Sequence, residues 1–401
     1  MEPYSLSGAT IVTPSECMAD SSVRVRGNNI DAVDEKAEFD LPLKDTTISP
    51  AFINAHDHLL GTYWPKVGHG PYPTWREWDI DLKASDVYKE RSKISNEDLY
   101  LLGSFRNLIS GALTVSDHVP HTLNDPLIPK MPVRIIRDYA LAHEVSRYDL
   151  KWGDGVAKEH AKAVAKDIPF ITHIEEGFDE ESKRGIDKLI RDKALSDHTV
   201  LVHGLALSAA DTKAIARAQA HLVWCPTSNM FMFDRTGDVR AWRKNGINVS
   251  LGTDSPMSGG INILEEMRFA RDTYAARYGE TLSDRDIVAM VTVNPAKALR
   301  LTGLGTLEKN ATADIIAVNG TGGYRALVNA GLRDIRLVIH EGRPVYGDEM
   351  CIPLFEQCSV KYARIRVAGV AKVTSYDITG LLSRIRTSAG YSKELPFLPI
   401  Y

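Results

Sequence analysis

The sequence predicts an α/β chain, in which a (β/α)8 barrel with an irregular fourth strand is flanked by a small β-sandwich built from both termini. The first fifty residues and the tail are rich in β-forming residues and turn signals. From Thr47 onward, apolar strand-like runs alternate with helical stretches, as in parallel βα units. The 401 residues also suffice for one large barrel and a smaller domain.

The β-rich ends are expected to pair beside the barrel. Residues 1–48 and 306–401 would form the two parts of the sandwich and include a C-terminal tail, while residues 49–305 would form the barrel. At the ends we predict strands at Ala9–Thr13, Ser22–Arg26, Ala313–Val318 and Ile335–His340, a strand-like stretch at Val360–Val373 and a short helix at Ile378–Arg386.

Seven strands of the barrel can be placed from apolar runs. They are predicted at Thr47–Ala55, Ala112–Asp117, Val133–Tyr139, Pro169–His173, Thr199–His203, His221–Cys225 and Asn248–Gly252. Helices are predicted at Ser208–Ala220 and Arg235–Asn245, from a serine N-cap and a following glycine. The fourth strand should lie within residues 141–167. Either Val145–Trp152 is a degenerate strand, or the barrel is locally remodelled.

The charge balance gives no sign of nucleic acid or a membrane as a partner, so we expect a small-molecule substrate. With 48 basic and 52 acidic residues the net charge is −4, which gives no field for nucleic acid or an anionic membrane. No apolar run approaches the ~18 residues of a spanning helix, and the N-terminus lacks the pattern of a secretory signal. Four unpatterned cysteines suggest neither disulfides nor a cysteine metal site. We therefore expect a cytoplasmic protein.

Three histidines and an aspartate fall at the carboxyl ends of predicted strands, where barrels place their active sites. His56 and His58 follow the first strand, and residues i and i+2 of an extended chain point the same way. His173 and Asp254 follow two later strands. Three nitrogen ligands and one oxygen ligand suit Zn²⁺, and would also accept Fe²⁺ or Co²⁺. We predict that these four residues bind one divalent metal ion.

Six ordered segments give the chain a family resemblance. They are Phe52-Ile-Asn-Ala-His56-Asp-His58, Thr172-His173-Ile-Glu-Glu176, Val202-His203-Gly, Cys225-Pro-Thr-Ser-Asn229, Gly252-Thr-Asp254-Ser and Thr292-Val-Asn-Pro-Ala-Lys-Ala-Leu299. The set resembles the amidohydrolase superfamily, and in particular its mononuclear aminohydrolases, the deaminases of purines, pyrimidines and related heterocycles. The resemblance covers nearly the whole chain. The His-x-Pro-Tyr-like segment of many heterocycle deaminases is missing from residues 141–167.

The resemblance implies catalytic roles as well as metal ligands. Glu176 would be the proton shuttle, and His203 would polarise or steady the water and substrate without necessarily binding the metal. A metal ion lowers the pKa of its water from 15.7 toward about 7, and Asp254 can take the remaining proton of the hydroxide. Because nitrogen is a poor leaving group unless protonated, a carboxylic acid such as Glu176 must protonate the ring or the amine. Two-metal members of the superfamily usually bridge their ions with a carboxylated lysine at the end of strand four. No lysine ends a predicted strand in that region, so the resemblance implies one metal ion.

Substrate contacts are expected from the aromatic connection after the first strand. Trp64, Trp75 and Trp78 could stack on a planar substrate, but a rigid lid packing on itself or a subunit contact is a slightly favoured interpretation. His118 could contact substrate or be a structural histidine, and Arg137 could bind a charged group or simply form an ion pair. Asp57, between the paired histidines, is expected either to support them from behind or to lie at an edge.

These expectations define a metal-dependent hydrolase that acts on C–N bonds other than peptide bonds. The favoured reaction is hydrolytic deamination of an amino-substituted N-heterocycle of the purine, pyrimidine, pterin or triazine kind, by metal-activated hydroxide. The alternatives are hydrolysis of a cyclic amide or imidazolone, displacement of chloride from a ring, and a non-catalytic scaffold. A homodimer is an open possibility for its assembly.

Overall fold

The computed structural model describes residues 2–400, whose strands form three sheets. The strands are β1 Tyr4–Val12, β2 Cys17–Arg26, β3 Asn29–Val33, β4 Phe39–Pro42, β5 Thr46–Pro50, β6 Phe52–Asn54, β7 Ala112–Val115, β8 Arg134–Ile135, β9 Ala140–Glu144, β10 Phe170–Ile174, β11 Thr199–His203, β12 His221–Trp224, β13 Val249–Leu251, β14 Ile315–Asn319, β15 Ile335–His340, β16 Arg343–Asp348, β17 Ala363–Val367 and β18 Val370–Thr374.

Helices connect most of the barrel strands and pack around them. The helices are α1 Trp75–Ala84, α2 Asp86–Arg91, α3 Asn96–Leu108, α4 His121–Asn124, α5 Val156–Lys166, α6 Gly185–Arg191, α7 Ala209–Arg217, α8 Pro226–Phe233, α9 Val239–Lys244, α10 Ile263–Tyr278, α11 Asp284–Ala289, α12 Val293–Ala298, α13 Tyr324–Asn329, α14 Ile352–Gln357 and α15 Ile378–Ala389. Short 3-10 turns lie at Leu59–Gly61, Ile128–Lys130, Ser182–Arg184, Leu332–Asp334 and Glu349–Cys351. In residues 2–400 no helix has the length and apolarity needed to cross a membrane.

Both ends of the chain build one ten-stranded sheet, in the order β17-β18-β16-β15-β14-β5-β1-β2-β3, with β4 beside β1. The two halves meet where β5 pairs with β14 in antiparallel register. Apolar side chains from the two halves, such as Val23 and Val373, belong to a single buried cluster. The sheet therefore surrounds its own core, and the prediction that the two termini build one β unit is confirmed.

The barrel consists of the eight parallel strands β6 to β13, which form the other two sheets. The backbone N–H of Ala55 donates to the carbonyl of Leu251 at 3.0 Å, which ties the first strand to the last. Alternate side chains, such as Val200 and Val202, lie in an interior cluster, whereas Leu201 between them belongs to the core shared with the helices. This alternation is typical of a filled (β/α)8 barrel, the predicted fold class.

The predicted strand Thr47–Ala55 is two strands in two different sheets, so this prediction is wrong. β5 lies between β1 and β14, while β6 begins two residues later and pairs with β7. Every residue of both strands is buried, so the change from one sheet to the other is not accompanied by a change in burial. The predicted domain limits at residues 48 and 305 stay a prediction.

The fourth barrel strand lies earlier than expected. It is β9, which starts only five residues after β8, and the four described residues between them form no helix. Val145–Trp152, the expected degenerate strand, is an irregular loop instead. The alternative of a locally remodelled barrel is the one that the structure supports.

The helix predictions are confirmed in position. Ser208 caps α7 with a capping box, in which its hydroxyl accepts from the N–H of Asp211. Asp238 caps α9, and Gly246 follows that helix with a φ of +75°. α15 covers the predicted C-terminal helix, while the strand-like stretch at Val360–Val373 is the hairpin of β17 and β18.

Candidate active site

Three imidazoles meet at the carboxyl ends of two barrel strands. His56 and His58 follow β6, and His173 lies near the end of β10. The ring centroid of His56 lies 4.6 Å from that of His58 and 5.0 Å from that of His173. One ligand nitrogen from each ring lies within 4.8 Å of the other two. The structure thus brings together the three histidines that the sequence predicts as metal ligands.

Asp254 supplies a carboxylate beside these imidazoles. Its Oδ1 lies 3.9 Å from Nε2 of His56 and 3.8 Å from Nε2 of His58. Protein ligands bind Zn²⁺ at about 2.0–2.2 Å, so atoms about 4 Å apart can share one ion between them. Both ring nitrogens of the fully buried His56 lack a hydrogen-bond partner in the described residues. The four side chains therefore fit a divalent metal ion.

The backbone around Asp254 is shaped to aim its carboxylate. Asp254 has a φ of +53°, a backbone conformation that residues other than glycine rarely adopt. Its Oδ2 accepts from the hydroxyls of Ser228 at 2.6 Å and Ser258 at 3.1 Å, which leaves Oδ1 facing the imidazoles. A Cβ at Gly252 would lie 2.7 Å from Cβ of His56, so only glycine lets the two strands approach this closely.

Burial sets the ionisation of the candidate ligands. It lowers the pKa of His56 and His173 well below the ordinary value, and neighbouring histidines lower it further. These rings are therefore neutral, the form that binds metals. Burial would raise the pKa of Asp254, but His58, His203 and the Ser228 hydroxyl outweigh it and keep the pKa below its usual value.

His173 is oriented by a hydrogen bond on the side away from the site. Its Nδ1 lies 2.7 Å from the carbonyl oxygen of His143, an acceptor, so Nδ1 donates and Nε2 is left for a ligand. His143 is the residue before the last of β9, and the centroid of its ring lies 4.8 Å from that of Trp75 and 4.6 Å from that of Trp152, in edge-on contacts.

Sequence reasoning gave His143 no role, yet the residue both orients His173 and lines the cavity described below. The signal that could have found it is the apolar run Tyr139–Ala142, which ends in this histidine as the other strands end in theirs. Because no helix separates β8 from β9, the run was not recognised as a separate strand.

Glu176 and His203 form the acid–base part of the site. Oε1 of Glu176 lies 3.5 Å from Nε2 of His203, and the two form a compact group with His173. Nδ1 of His203 lies 3.0 Å from Oδ1 of Asn229, which fixes the ring. Burial raises the pKa of Glu176 well above its ordinary value, with Asp254 and Glu144 adding to the effect. The shift favours the protonated carboxylic acid, the form that can donate a proton.

Glu175 points the other way from its neighbour. It accepts a hydrogen bond from the N–H of Ile186 at 3.3 Å and is almost fully buried. Burial raises its pKa to about 8. This placement gives Glu175 a structural role rather than a catalytic one.

Asp57 belongs to a buried polar network behind the paired histidines. It pairs with Arg106 of α3 and accepts from the side-chain amides of Asn107 at 2.8 Å and Asn54 at 3.2 Å. Arg106 also donates to the carbonyl oxygen of Gly260 at 3.1 Å. The network thus joins the first strand to the loop after Asp254, and the expectation that Asp57 supports the histidines from behind fits this arrangement.

The end of β7 adds two buried groups. Oδ1 of Asp117 lies 4.0 Å from Nδ1 of His58, and burial raises the pKa of Asp117 to about 7. The ring of His118 lies 4.8 Å from that of His173 and 5.1 Å from that of His56. Neither nitrogen of His118 has a partner in the described residues, and the ring does not line the cavity.

A cavity of about 260 Å³ opens beside the metal ligands. Trp75 and Trp78 line it, as the sequence predicted. Trp64 does not, because it packs against the core formed with the helices. Arg137 is misplaced by the sequence prediction: it is exposed in a separate cleft, beside Ile168 and ahead of β10. Arg137 lies 4.0 Å from Asp125 in that cleft and does not line the cavity beside the metal ligands, which fits the ion-pair alternative.

Comparison with known proteins agrees with this geometry. A family model described as the amidohydrolase family matches residues 154–345. A 5-methylthioadenosine/S-adenosylhomocysteine deaminase of Thermoanaerobacter pseudethanolicus is 33% identical over 325 residues, which cover 68% of this chain and 73% of the relative. A deaminase with the same name from Teredinibacter turnerae is 30% identical over 216 residues, and there the match spans 52% of this chain but only 44% of the relative.

Solved structures show the same fold over nearly the whole chain. An atrazine chlorohydrolase of Arthrobacter aurescens, complexed with zinc, is 16% identical with a TM-score of 0.76, covering 96% of this chain and 99% of its own. A zinc-bound adenosine deaminase of Xanthomonas campestris is also 16% identical, with a TM-score of 0.75 and coverages of 96% and 97%.

Fold and site together define a (β/α)8 barrel with a set of candidate metal ligands at the carboxyl ends of its strands. The chain belongs to the amidohydrolase family.

Proposed function

We propose that this chain catalyses hydrolytic deamination of an amino-substituted N-heterocycle, using one Zn²⁺ held by His56, His58, His173 and Asp254. The observation that carries the proposal is the carboxyl of Glu176, buried in the same cavity as the metal ligands and 3.5 Å from Nε2 of His203, where burial raises its pKa. The names of the relatives, deaminases of nucleoside-like compounds, support the reaction type.

When bound, the metal ion would supply Lewis-acid activation of a water molecule. The side chains divide the proton transfers. Oδ1 of Asp254, whose pKa is held low, is placed to accept a proton from that water. Glu176 then donates its proton to a ring nitrogen or to the departing amine, which leaves as ammonia. Nδ1 of His203 donates to Oδ1 of Asn229, and burial lowers the pKa of His203, so its neutral ring presents Nε2 as an acceptor toward Oε1 of Glu176.

The carboxylic acid favours deamination over displacement of chloride. Chloride leaves readily as an anion and needs no proton, whereas an amine departs only when protonated. A site that keeps Glu176 protonated by burial is therefore built for a nitrogen leaving group. A non-catalytic scaffold would have no need for such an acid beside a complete ligand set.

Ammonia release tests the proposal. The zinc-loaded protein is incubated with amino-substituted purines, pyrimidines, pterins and triazines, and in parallel with hydantoins and imidazolones, whose ring opening is followed by absorbance. We expect ammonia from at least one amino-heterocycle and no ring opening. Ring opening without ammonia would favour the cyclic-amide alternative, and inertness in both assays would favour the scaffold. A cytoplasmic location and a homodimer stay predictions.

A further inference from the structure

The cavity has a metal end and an outer wall of different chemistry. The outer wall, as we use the term, consists of Leu60, Trp75, Trp78, Leu123, Trp152 and Met257, all of which line the cavity. These side chains are aliphatic, aromatic or thioether groups. None of these residues is a candidate metal ligand, so the wall would contact parts of a substrate other than the reacting carbon.

Two of the three indole N–H groups of the wall, those of Trp75 and Trp78, are engaged by acceptors of the protein. Nε1 of Trp75 donates to Oε2 of Glu144 at 2.9 Å, and Nε1 of Trp78 donates to the carbonyl of Val67 at 2.8 Å. Both tryptophans therefore present carbon surface rather than hydrogen bonds. Asp79, also at the cavity, is engaged by the ammonium of Lys83 at 2.6 Å.

The remaining polar groups lie mainly at the metal end. Asp117 lies beside His58, and the backbone N–H of Ser255 donates to Asp254 at 2.8 Å. Arg91 is the one arginine that lines the cavity within residues 2–400; it donates to the carbonyl of Leu60, and its guanidinium stacks on the Tyr88 ring at 4.6 Å. Away from the metal end, apolar side chains therefore outnumber polar ones in the cavity lining, and Nε of Arg91 has no partner in the described residues.

We propose that the substrate carries a small apolar substituent, alkyl or aryl, on the heterocycle and that a ribosyl group is disfavoured; this inference rests on the proposed function. A substrate hydroxyl buried against the outer wall would lose its hydrogen bonds to water without replacement. The cavity of about 260 Å³ is also below the ~300–1,000 Å³ of pockets for drug-sized ligands. The substrate class therefore differs from that in the names of the relatives.

The test uses the full-length zinc-loaded protein and a matched series on one ring. The ring is the amino-heterocycle that releases ammonia fastest in the panel above, or adenine if none does. It carries hydrogen, methyl, ethyl, propyl, ribosyl or carboxyethyl at the same nitrogen. Both kcat/KM for ammonia release and Kd by calorimetry are measured.

Each added methylene should raise kcat/KM and tighten binding about fourfold, the equivalent of ~0.8 kcal/mol per buried CH₂. The ribosyl compound should bind at least about tenfold more weakly than the propyl compound, since its hydroxyls would be desolvated without partners. Tighter binding of the ribosyl or carboxyethyl compound would overturn the inference. Absence of ammonia with the alkyl series still bound in this order would instead contradict the proposed function alone.

Trp78 offers a matched pair of variants on one helix. Trp78→Ala should lower kcat/KM for the propyl compound by about tenfold or more and that for the unsubstituted ring much less. Ile80→Ala on the same helix, where the side chain is 62% exposed, should change neither. Trp78→Phe keeps an apolar ring and should restore most of the propyl preference. Equal losses for both substrates in Trp78→Ala, with the fold intact by circular dichroism, would contradict the assigned wall.

Discussion

The metal end and the outer wall of the same cavity are built by different parts of the chain. The metal end consists of residues at the ends of β6, β10, β11 and β13, fixed from behind by buried polar partners. The outer wall comes largely from connections, above all the long one between β6 and β7. Strand ends thus hold the chemistry in place, while connections are free to set the substrate.

The largest effect in this comparison is expected at Glu176. Glu176→Gln removes the proton but keeps the shape, so kcat should fall by about 10²–10⁴-fold, as for the loss of a general acid. Metal content, measured by mass spectrometry of the digested protein, should stay at the wild-type value. Glu175→Gln is the matched control, because Glu175 points away from the site and should leave kcat within a few-fold of wild type. Unchanged turnover in Glu176→Gln would remove its role as proton donor.

The next effect tests whether the network behind the histidines supports the metal end. Arg106→Met leaves Asp57 as an unpaired buried charge, which should destabilise the fold by about 3–5 kcal/mol in urea unfolding. Metal affinity should weaken by about 10- to 100-fold, as for the loss of other outer ligand supports.

A double-mutant cycle supplies the control. If Arg106→Met acts by stranding the carboxylate, adding Asp57→Asn should recover part of the lost free energy of unfolding. Simple additivity of the two substitutions would show that the ion pair is not what couples the first strand to the loop at Gly260.

A smaller effect concerns the pH dependence of stability near α8, the helix that carries Ser228 and Asn229. Glu266 accepts from the N–H and the hydroxyl of Thr227, and burial raises its pKa from 4.5 to about 7. Between pH 4.5 and 7 the folded protein therefore binds more protons at Glu266 than the unfolded chain does, and stability falls as pH rises.

The matching experiment compares wild type with Glu266→Gln. The free energy of unfolding of wild type minus that of the variant should decrease on the order of 3 kcal/mol from pH 4.5 to 7, at about 1.4 kcal/mol per pKa unit. A difference that stays constant or grows over this range would show that Glu266 is ionised in the folded protein throughout.

The smallest effect is expected at Arg137, which lies outside both parts of the cavity. Arg137→Ala should change kcat/KM by less than about twofold, because surface substitutions away from a site have small effects. A tenfold loss would place the substrate in the other cleft and would break the comparison.

The sequence predicted the metal end better than the wall for a physical reason. His56, His173 and Asp254 each follow an apolar run, and the ends of parallel strands must meet at one face of a barrel. The pattern alone could not show that β5 and β6 belong to different sheets, because both are wholly buried.

Other features escaped because they depend on tertiary contacts. His143 was overlooked since no helix separates β8 from β9, which breaks the usual spacing of a barrel. The tryptophans of the connection after β6 look alike in sequence. Only their packing shows that Trp75 and Trp78 line the cavity and that Trp64 does not.

The measurement that tests the central claim most directly is metal content against activity. The protein is purified, stripped with a chelator and titrated with Zn²⁺, while bound metal and ammonia release are followed together. We expect activity to return in proportion to bound metal up to one ion per chain, and Asp254→Asn to lose both. Full activity in protein shown to be free of metal would contradict the account.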